Sequence, residues 1–230
     1  MPDFTSRSQL KEILDQDDIP FEDIEKNLEE LDFINTWLGG HKITQDGLAL
    51  FNINQSKHLH IVELGCGGGD NMRILADYLI NKNISYTLTG IDLKPACIQF
   101  AQDRNPTFQW ICSDYKKVHF DKKPDILFSS LFCHHFSQQE LIEQLQWMKA
   151  NSTLGFFIND LQRHPLAYYA IRLLTKIFSS SYLVKHDAPL SVARGFTKED
   201  WIKITQQINL TQVRIQWKWA FRFLIHFQHA

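Results

Sequence analysis

The stretch that most constrains the fold is IVELGCGGGD, residues 61–70, where a short apolar run leads into glycines at alternate positions. The apolar run predicts a buried strand, and the segment NMRILADYLI that follows predicts a helix. Glycine adopts left-handed backbone conformations without strain and lets the chain approach a ligand closely. The stretch therefore predicts a strand–turn–helix unit with a ligand at the turn.

From Leu59 to about Leu161, strand and helix patterns alternate, which predicts parallel strands joined by helical crossovers. The chain then ends on two strand patterns, TQVRIQW and FRFLIHFQ, whose short link permits a hairpin but not a crossover. We therefore predict an α/β fold. Its sheet is doubly wound, mostly parallel and seven-stranded, with an antiparallel final strand.

The regions on either side of this alternation are predicted to be helical. Residues 1–55 form a helical cap, interrupted at Gly39-Gly40, and residues 56–230 form a Rossmann-like domain with a helical insertion at about 163–196. Within the insertion, PLAYYAIRLLTKIF predicts an apolar helix, and the stretch from there to Arg194 is expected to be irregular. The cap is expected to lie over the ligand crevice as a lid, with a dimerisation element as the alternative.

Composition excludes several classes of protein. The 230 residues are 44% apolar with a net charge of −2, which is typical of a globular domain. No window approaches a membrane span, and the basic C-terminal third lacks the dense runs of a nucleic-acid-binding protein. The four cysteines show no metal-ligand spacing, so we expect no disulfide, no zinc and no other metal site. The expected location is the cytoplasm, as a monomer or a homodimer.

Carboxylates follow three successive predicted strands. Asp70 stands where a dinucleotide-binding turn would have its third glycine, and a carboxylate at a helix N-terminus opposes a diphosphate. Asp92 ends the second strand, where it can bind ribose hydroxyls, and Asp114 ends the third, where it can bind an adenine amine beside Tyr115. With Glu63 facing the same crevice, the set suits a cationic adenosyl ligand, S-adenosylmethionine. A dinucleotide-dependent oxidoreductase is the alternative.

The segments IVELGCGGGD, LTGIDLKPACI, ICSDY and PDILFSSLFCHHF resemble the successive motifs of class I S-adenosylmethionine-dependent methyltransferases. The resemblance covers about residues 58–161. It implies that the glycine turn approaches the methionine moiety and that S-adenosylhomocysteine is the product. The cofactor site that we predict comprises Glu63, Gly65, Gly67, Asp70, Asn71, Asp92, Leu93, Asp114, Tyr115 and Ser130.

The motif CHHF, just past the fourth predicted strand, supplies a candidate general base. An imidazole has a suitable pKa to accept the proton of a phenol or an alcohol during methyl transfer. We favour His135 over His134, because relatives with a similar double-histidine motif direct the second histidine toward the pocket. The alternative is that both histidines are structural.

More locally, WLGGHK, NDLQRHPLAYY and HDAPLSVARGFTKED resemble a bacterial subgroup near polyketide, pigment or quinone biosynthesis. The resemblance implies a small lipophilic or aromatic acceptor. Arg163 is expected to bind an acidic group of the acceptor, with a salt bridge to Asp160 as the alternative. The other residues that we predict to face the acceptor are Trp37, His164, Tyr168, Tyr169 and Arg194.

The function predicted from the sequence is methyl transfer to a small lipophilic acceptor, by O-methylation of a phenol-like polyketide or aromatic. The alternatives are C-methylation of a quinone precursor and a catalytically silent S-adenosylmethionine-binding protein. The apolar helix of the insertion is too short to span a bilayer, so we expect it to cover the acceptor pocket or to make transient membrane contact. The remaining alternative is that this segment is a helix buried in the core.

Overall fold

The computed structural model describes residues 3–16, 18–53 and 57–230, which form one seven-stranded sheet with helices packed on both faces. The strands are β1 (Leu59–Leu64), β2 (Tyr86–Asp92), β3 (Gln109–Cys112), β4 (Ile126–Ser130), β5 (Gly155–Leu161), β6 (Val213–Lys218) and β7 (Arg222–Gln228). The helices are α1 (Phe21–Trp37), α2 (Gly40–Ala49), α3 (Asp70–Asn81), α4 (Pro95–Arg104), α5 (Gln138–Asn151), α6 (Pro165–Phe178), α7 (Tyr182–Arg194) and α8 (Lys198–Gln207).

The strand order is β3-β2-β1-β4-β5-β7-β6. Strands β1 to β5 pair in parallel, whereas β7 lies antiparallel between β5 and β6. The order reverses direction between β1 and β4, and in an open parallel sheet ligands bind outside the carboxyl ends of the strands at that point. The predicted fold class is therefore confirmed, including the antiparallel final strand.

The short link between β6 and β7 explains the antiparallel strand. Ala220 and Phe221 adopt left-handed conformations, with φ of 58° and 55°, so that the chain reverses within three residues. Residue Arg222 at the start of β7 pairs with Leu161 at the end of β5. The N-terminal end of β7 therefore lies at the same edge of the sheet as the carboxyl ends of the parallel strands.

The N-terminal helices pack over this edge. Gly39, with φ of 75°, separates α1 from α2, at the predicted interruption. Ile24 and Leu28 of α1 form a small apolar cluster with Cys97 and Phe100 of α4. The predicted domain boundary between residues 55 and 56 lies outside the described residues.

The insertion between β5 and α8 consists of two helices, and here one sequence prediction was wrong. The stretch before Arg194, expected to be irregular, is helix α7 despite Pro189 in its interior. Ser181 caps the helix by accepting a hydrogen bond from the Val184 N–H, and the buried Leu183 and Val184 anchor it. Tertiary packing against α6 thus outweighs the low helix propensity that the sequence suggests.

Candidate cofactor and acceptor site

The glycine turn after β1 is held in place by the carboxylate of Asp92 at the end of β2. The backbone N–H of Gly67 donates to Asp92 Oδ2 at 2.9 Å, and the N–H of Lys94 donates to Oδ1 at 2.9 Å. Gly65 has a left-handed φ of 66°, and a Cβ there would lie 2.1 Å from the ring of Phe132. Glycine is therefore required at this turn both for its backbone conformation and for close packing.

Carboxylates crowd the floor of the crevice without enough local cations to balance them. Glu63 is 1% exposed; Asn71 donates to its Oε1 at 3.3 Å, but its Oε2 has no partner among the described residues. Burial and the nearby Asp70 raise the pKa of Glu63 well above its ordinary value, and burial also raises the pKa of Asp92. A ligand with a positive centre and hydrogen-bond donors fits this surplus of negative charge.

Asp70 has partners from the helical cap. His41 Nε2 lies 2.7 Å from Asp70 Oδ2, and the side-chain amide of Asn35 donates to the same oxygen at 3.3 Å. Asn71 is bound on its other side by Thr44 of α2, whose hydroxyl donates to it at 2.9 Å. The structure therefore connects the start of α3 to both cap helices.

The remaining predicted cofactor residues divide into two groups. Leu93 is 67% exposed at the rim, and Asp114 accepts a hydrogen bond from the Lys116 N–H at 3.0 Å. Tyr115, by contrast, is 6% exposed and packs edge-on against Trp147 and Phe132. Its ring belongs to the core, so its expected place beside an adenine ring is not supported by these contacts.

A second feature is a cavity of about 390 Å³ beside the crevice. It is bounded by the ends of β4 and β5, the turn between β6 and β7, and the cap and insertion helices. Most of its lining is apolar, and its principal polar or charged side chains are Glu12, Asn35, His134, His135 and Arg222. The apolar lining includes Leu31, Ile34, Leu38, Leu131, Leu161, Ala167, Ala170, Ile171, Leu174, Val192, Trp217, Trp219 and Phe221.

Leu131 lines this cavity in an unfavourable backbone conformation. Its φ is 53°, in the left-handed region that a branched side chain rarely adopts, and its N–H donates to the Asn159 carbonyl at 2.9 Å. Such strain persists where surrounding structure enforces it, often at ligand sites. The left-handed conformation of Leu131 turns the chain sharply from the end of β4 into the segment that carries His134 and His135.

His134 is buried between two carboxylates. Its Nδ1 lies 2.8 Å from Asp160 Oδ1, and its Nε2 lies 3.5 Å from Glu12 Oε1. Burial lowers the pKa of His134, but Asp160 and Glu12 outweigh burial and raise that pKa to about 9. His134 is therefore a protonated imidazolium at neutral pH and cannot accept a proton from an acceptor.

His135 is the more accessible of the two, with a side chain 23% exposed. Its Nδ1 lies 3.1 Å from Asp15 Oδ1, and its Nε2 lies 3.8 Å from Glu12 Oε2. Burial raises the pKa of Asp15, but the hydrogen bond to His135 and the charges of His135 and Arg194 outweigh burial and lower that pKa to about 2. A carboxylate with a lowered pKa thus orients the imidazole at the cavity wall, as in a base–carboxylate dyad.

Two arginines predicted to face the acceptor lie elsewhere. Arg163 is 5% exposed and its guanidinium donates to the Gly195 carbonyl at 2.8 Å and to Asp200 at 2.9 Å. This salt bridge is with Asp200, and not with Asp160 as the alternative had it. Arg194 donates to the carbonyls of His134 at 3.1 Å and His135 at 2.8 Å. Both arginines hold backbone in place and neither lines the cavity, so these two predictions were wrong.

The other predicted acceptor residues surround the cavity rather than line it. His164 caps α6 and stacks on Phe221, which does line the cavity. Trp37 is 73% exposed, Tyr169 is 45% exposed, and Tyr168 packs against Phe4. Their direct contact with an acceptor stays a prediction. Ser130, which was predicted to bind the cofactor, is buried at the end of β4, where it accepts a hydrogen bond from Asn159 at 3.3 Å.

Sequence reasoning missed the residues that converge on the cavity from distant segments. Glu12, Asn35 and Arg222 lie outside the motifs, and no spacing pattern connects them. The sequence could have indicated only Arg222, because it is the first residue of an antiparallel strand, and such a strand begins at the ligand edge of the sheet.

Comparison with known proteins adds to this geometry. The sequence pattern of the family described as "Methyltransferase domain" matches residues 61–151. A malonyl-[acyl-carrier protein] O-methyltransferase from Acetivibrio thermocellus is 24% identical over 119 residues, which are 50% of this chain and 41% of that protein. The chain therefore spans about two fifths of the length of this curated relative.

Solved structures show the same fold. The plantazolicin methyltransferase BpumL in complex with S-adenosylhomocysteine superposes with a TM-score of 0.63 at 19% identity, covering 86% of this chain and 74% of that chain. An S-adenosylmethionine-dependent methyltransferase from Aquifex aeolicus superposes with a TM-score of 0.60 at 13% identity, covering 90% of this chain and 98% of that chain. Residues 61–151 therefore match a methyltransferase domain, and the fold of the chain is that of these S-adenosylmethionine-dependent methyltransferases.

Proposed function

We propose that the protein transfers a methyl group from S-adenosylmethionine to a small lipophilic acceptor, by O-methylation of a phenol-like compound. The observation that carries this proposal is the apolar cavity of about 390 Å³, which meets an oriented imidazole at one wall. An apolar cavity with a few placed polar groups is typical of small-molecule sites. The O-methyltransferase of Acetivibrio thermocellus is consistent with oxygen as the methylated atom.

Glu63, Asp70, Asp92 and Asp114 would hold the cofactor. When bound, it supplies an electrophilic methyl group on a sulfonium. The chain's own residues then align the acceptor, exclude water and take up the proton of its hydroxyl group. His135 is the residue in position to accept that proton, because Asp15 fixes its Nδ1 and its Nε2 is not held by a close partner among the described residues.

The same cluster suggests a second means of deprotonating the acceptor. Glu12, His134 and His135 present ligand atoms within 4.8 Å of one another, a spacing that also suits a divalent cation. We expect activity to be independent of metal, in line with the absence of a metal-ligand spacing in the sequence. Loss of methyl transfer on chelation, restored by added Zn²⁺ or Mn²⁺, would contradict this expectation.

A mass-spectrometric screen for methylated products from phenolic, quinone and fatty-aromatic acceptors tests the proposed function. Ala170→Trp, which narrows the cavity from α6, is expected to reduce turnover at least about tenfold and to leave binding of S-adenosylhomocysteine unchanged. Leu173→Trp, on the outer face of the same helix, is the matched control. Cofactor binding without turnover of any acceptor would favour the catalytically silent protein instead.

We further propose that the outer face of α6 makes transient contact with a lipid surface. Leu166, Leu173, Ile177 and Phe178 on this helix are 60% to 77% exposed, and Trp219 at the cavity mouth is 72% exposed. Residues 164–186 contain no Asp or Glu but include Arg172, Lys176 and Lys185. Apolar side chains flanked by cations favour an anionic bilayer interface. Among the described residues, no helix is long and apolar enough to cross a membrane.

A further inference from the structure

Arg222 is a buried cation at the acceptor side of the site. It is 3% exposed, it starts β7 at the ligand edge of the sheet, and it lines the apolar cavity. A Cβ at Gly40 would lie 3.0 Å from its Cζ, so the helical cap closes tightly over the guanidinium. The charge is therefore shielded from bulk solvent on the side of the cap.

The partners of Arg222 are neutral. Its Nη2 donates to the amide oxygen of Asn35 at 2.8 Å, and its Nη1 lies 3.5 Å from the amide oxygen of Asn159. Within residues 3–16, 18–53 and 57–230, no carboxylate forms a salt bridge with it. The buried Arg163 and Arg194 each have one, with Asp200 and Asp15.

A buried guanidinium without a counter-ion is costly, because no paired carboxylate replaces the hydration that it loses. Burial lowers the pKa of Arg222 to about 10, against the attraction of Asp160 and Asp70, so that the side chain stays charged at neutral pH. A guanidinium has five N–H donors in a fixed plane, and the two amides accept from only part of them. Donor capacity and positive charge thus remain at the cavity.

We propose that Arg222 binds a carboxylate of the acceptor, so that the natural acceptor is an aromatic or lipophilic hydroxy acid. A planar carboxylate matches the guanidinium fork, and the apolar walls would take the rest of the molecule. The inference rests on the proposed function, because it names the acceptor class of that same site. It also replaces the anion-binding role that the sequence assigned to Arg163.

The carboxylate of the cofactor itself is the competing anion. The glycine turn follows β1, whereas Arg222 starts β7, three positions further across the sheet. Neighbouring strands lie about 4.8 Å apart, so these two strands are separated by about 14 Å. The Arg222 side chain spans part of this distance, because Asn35 accepts from its Nη2 at 2.8 Å and donates to Asp70 at 3.3 Å. Its place in the lining of the apolar cavity is what favours an acceptor carboxylate, and the experiment below separates the two anions.

The test is binding calorimetry on protein saturated with S-adenosylhomocysteine, with 3-hydroxy-2-naphthoic acid and its methyl ester as probes. Wild-type protein is expected to bind the acid at least about 30-fold more tightly than the ester. Arg222→Gln is expected to weaken binding of the acid about 30- to 100-fold and binding of the ester less than about threefold. Arg222→Lys is expected to be intermediate, because it keeps the charge without the fork.

Asn35→Asp provides a second variant that does not depend on removing the arginine. It places a carboxylate beside Nη2, where Asn35 now accepts at 2.8 Å, and is expected to remove the preference for the acid. Equal binding of acid and ester by wild type would overturn the proposal. So would a loss of S-adenosylhomocysteine affinity in Arg222→Gln, since the guanidinium would then hold the cofactor. Binding needs no turnover, so failure of the proposed reaction remains distinguishable.

Discussion

The two halves of the ligand edge of the sheet differ in the charge that they bury. The cofactor half, after β1 to β3, holds Glu63 and Asp92 with carboxylates that lack full compensation. The acceptor half, around β4, β5 and β7, holds His134, whose charge is balanced by Asp160 and Glu12, and Arg222, which has no salt-bridge partner among the described residues. A cationic cofactor and an acidic acceptor would each meet opposite charge in their own half of the site. Each ligand would be repelled by the charge of the other half. The difference suggests that electrostatics keeps the two ligands in their places.

The largest effect is expected in the acceptor half, from His135→Gln. Loss of a general base lowers turnover by about 100-fold or more, while affinity for S-adenosylmethionine changes less than about twofold. Single-turnover kinetics and calorimetry measure the two quantities. His119→Gln, at an exposed position, is the control. Wild-type turnover at neutral pH would remove His135 from its role as base.

The next effect is expected in the cofactor half, from Asp92→Ala. If the carboxylate binds the ribose, affinity for S-adenosylmethionine falls about 10- to 100-fold, or about 1.4 to 2.8 kcal/mol. Binding of a hydroxynaphthoic acid in the other half stays unchanged. The exposed Asp121→Ala serves as the control, and a thermal scan checks that the loss of the Gly67 contact leaves the fold intact. Unchanged cofactor affinity would refute the ribose contact.

A smaller effect concerns stability and pH. Because the pKa of His134 is raised to about 9 in the folded protein, its contribution to stability is complete below its ordinary pKa of 6.5. That contribution is lost as the pH rises through about 9. Relative to His134→Gln, wild-type protein is expected to lose about 3 to 6 °C of Tm between pH 6.5 and 9. Parallel pH profiles of the two proteins would show that His134 is not a buried imidazolium.

The smallest effect on catalysis is expected from the outer face of α6. The double substitution Leu173→Ser and Ile177→Ser should change turnover of a water-soluble acceptor less than about twofold, since both side chains point away from the cavity. It should, however, reduce co-sedimentation with phosphatidylserine vesicles. Equal sedimentation of variant and wild type, or equal sedimentation with uncharged vesicles, would contradict the lipid contact.

The sequence predicted the strands and turns of the cofactor half better than the contacts that form the acceptor half, and the reason is the range of those contacts. Gly67, Asp92 and Asp114 lie at the ends of consecutive strands, so that local patterns and the topology of parallel sheets place them together. The acceptor half brings Glu12 beside His134 and Asn35 beside Arg222. These residues are far apart in the chain, so no local sequence pattern predicts that they pair. Tertiary packing also made a helix of residues 182–194, which the sequence alone did not indicate.

The N-terminal segment has a consequence for the order of assembly during synthesis. Arg7 donates to the carbonyl oxygens of Arg194 and His134, and the Ile13 and Leu14 N–H groups donate to Asp187. These first residues leave the ribosome long before their partners are made. The strands that carry the glycine turn are complete much earlier in the chain. A nascent chain would therefore hold the strands of the methyl-donor crevice before the insertion helices and β7, which complete the walls around the acceptor, exist.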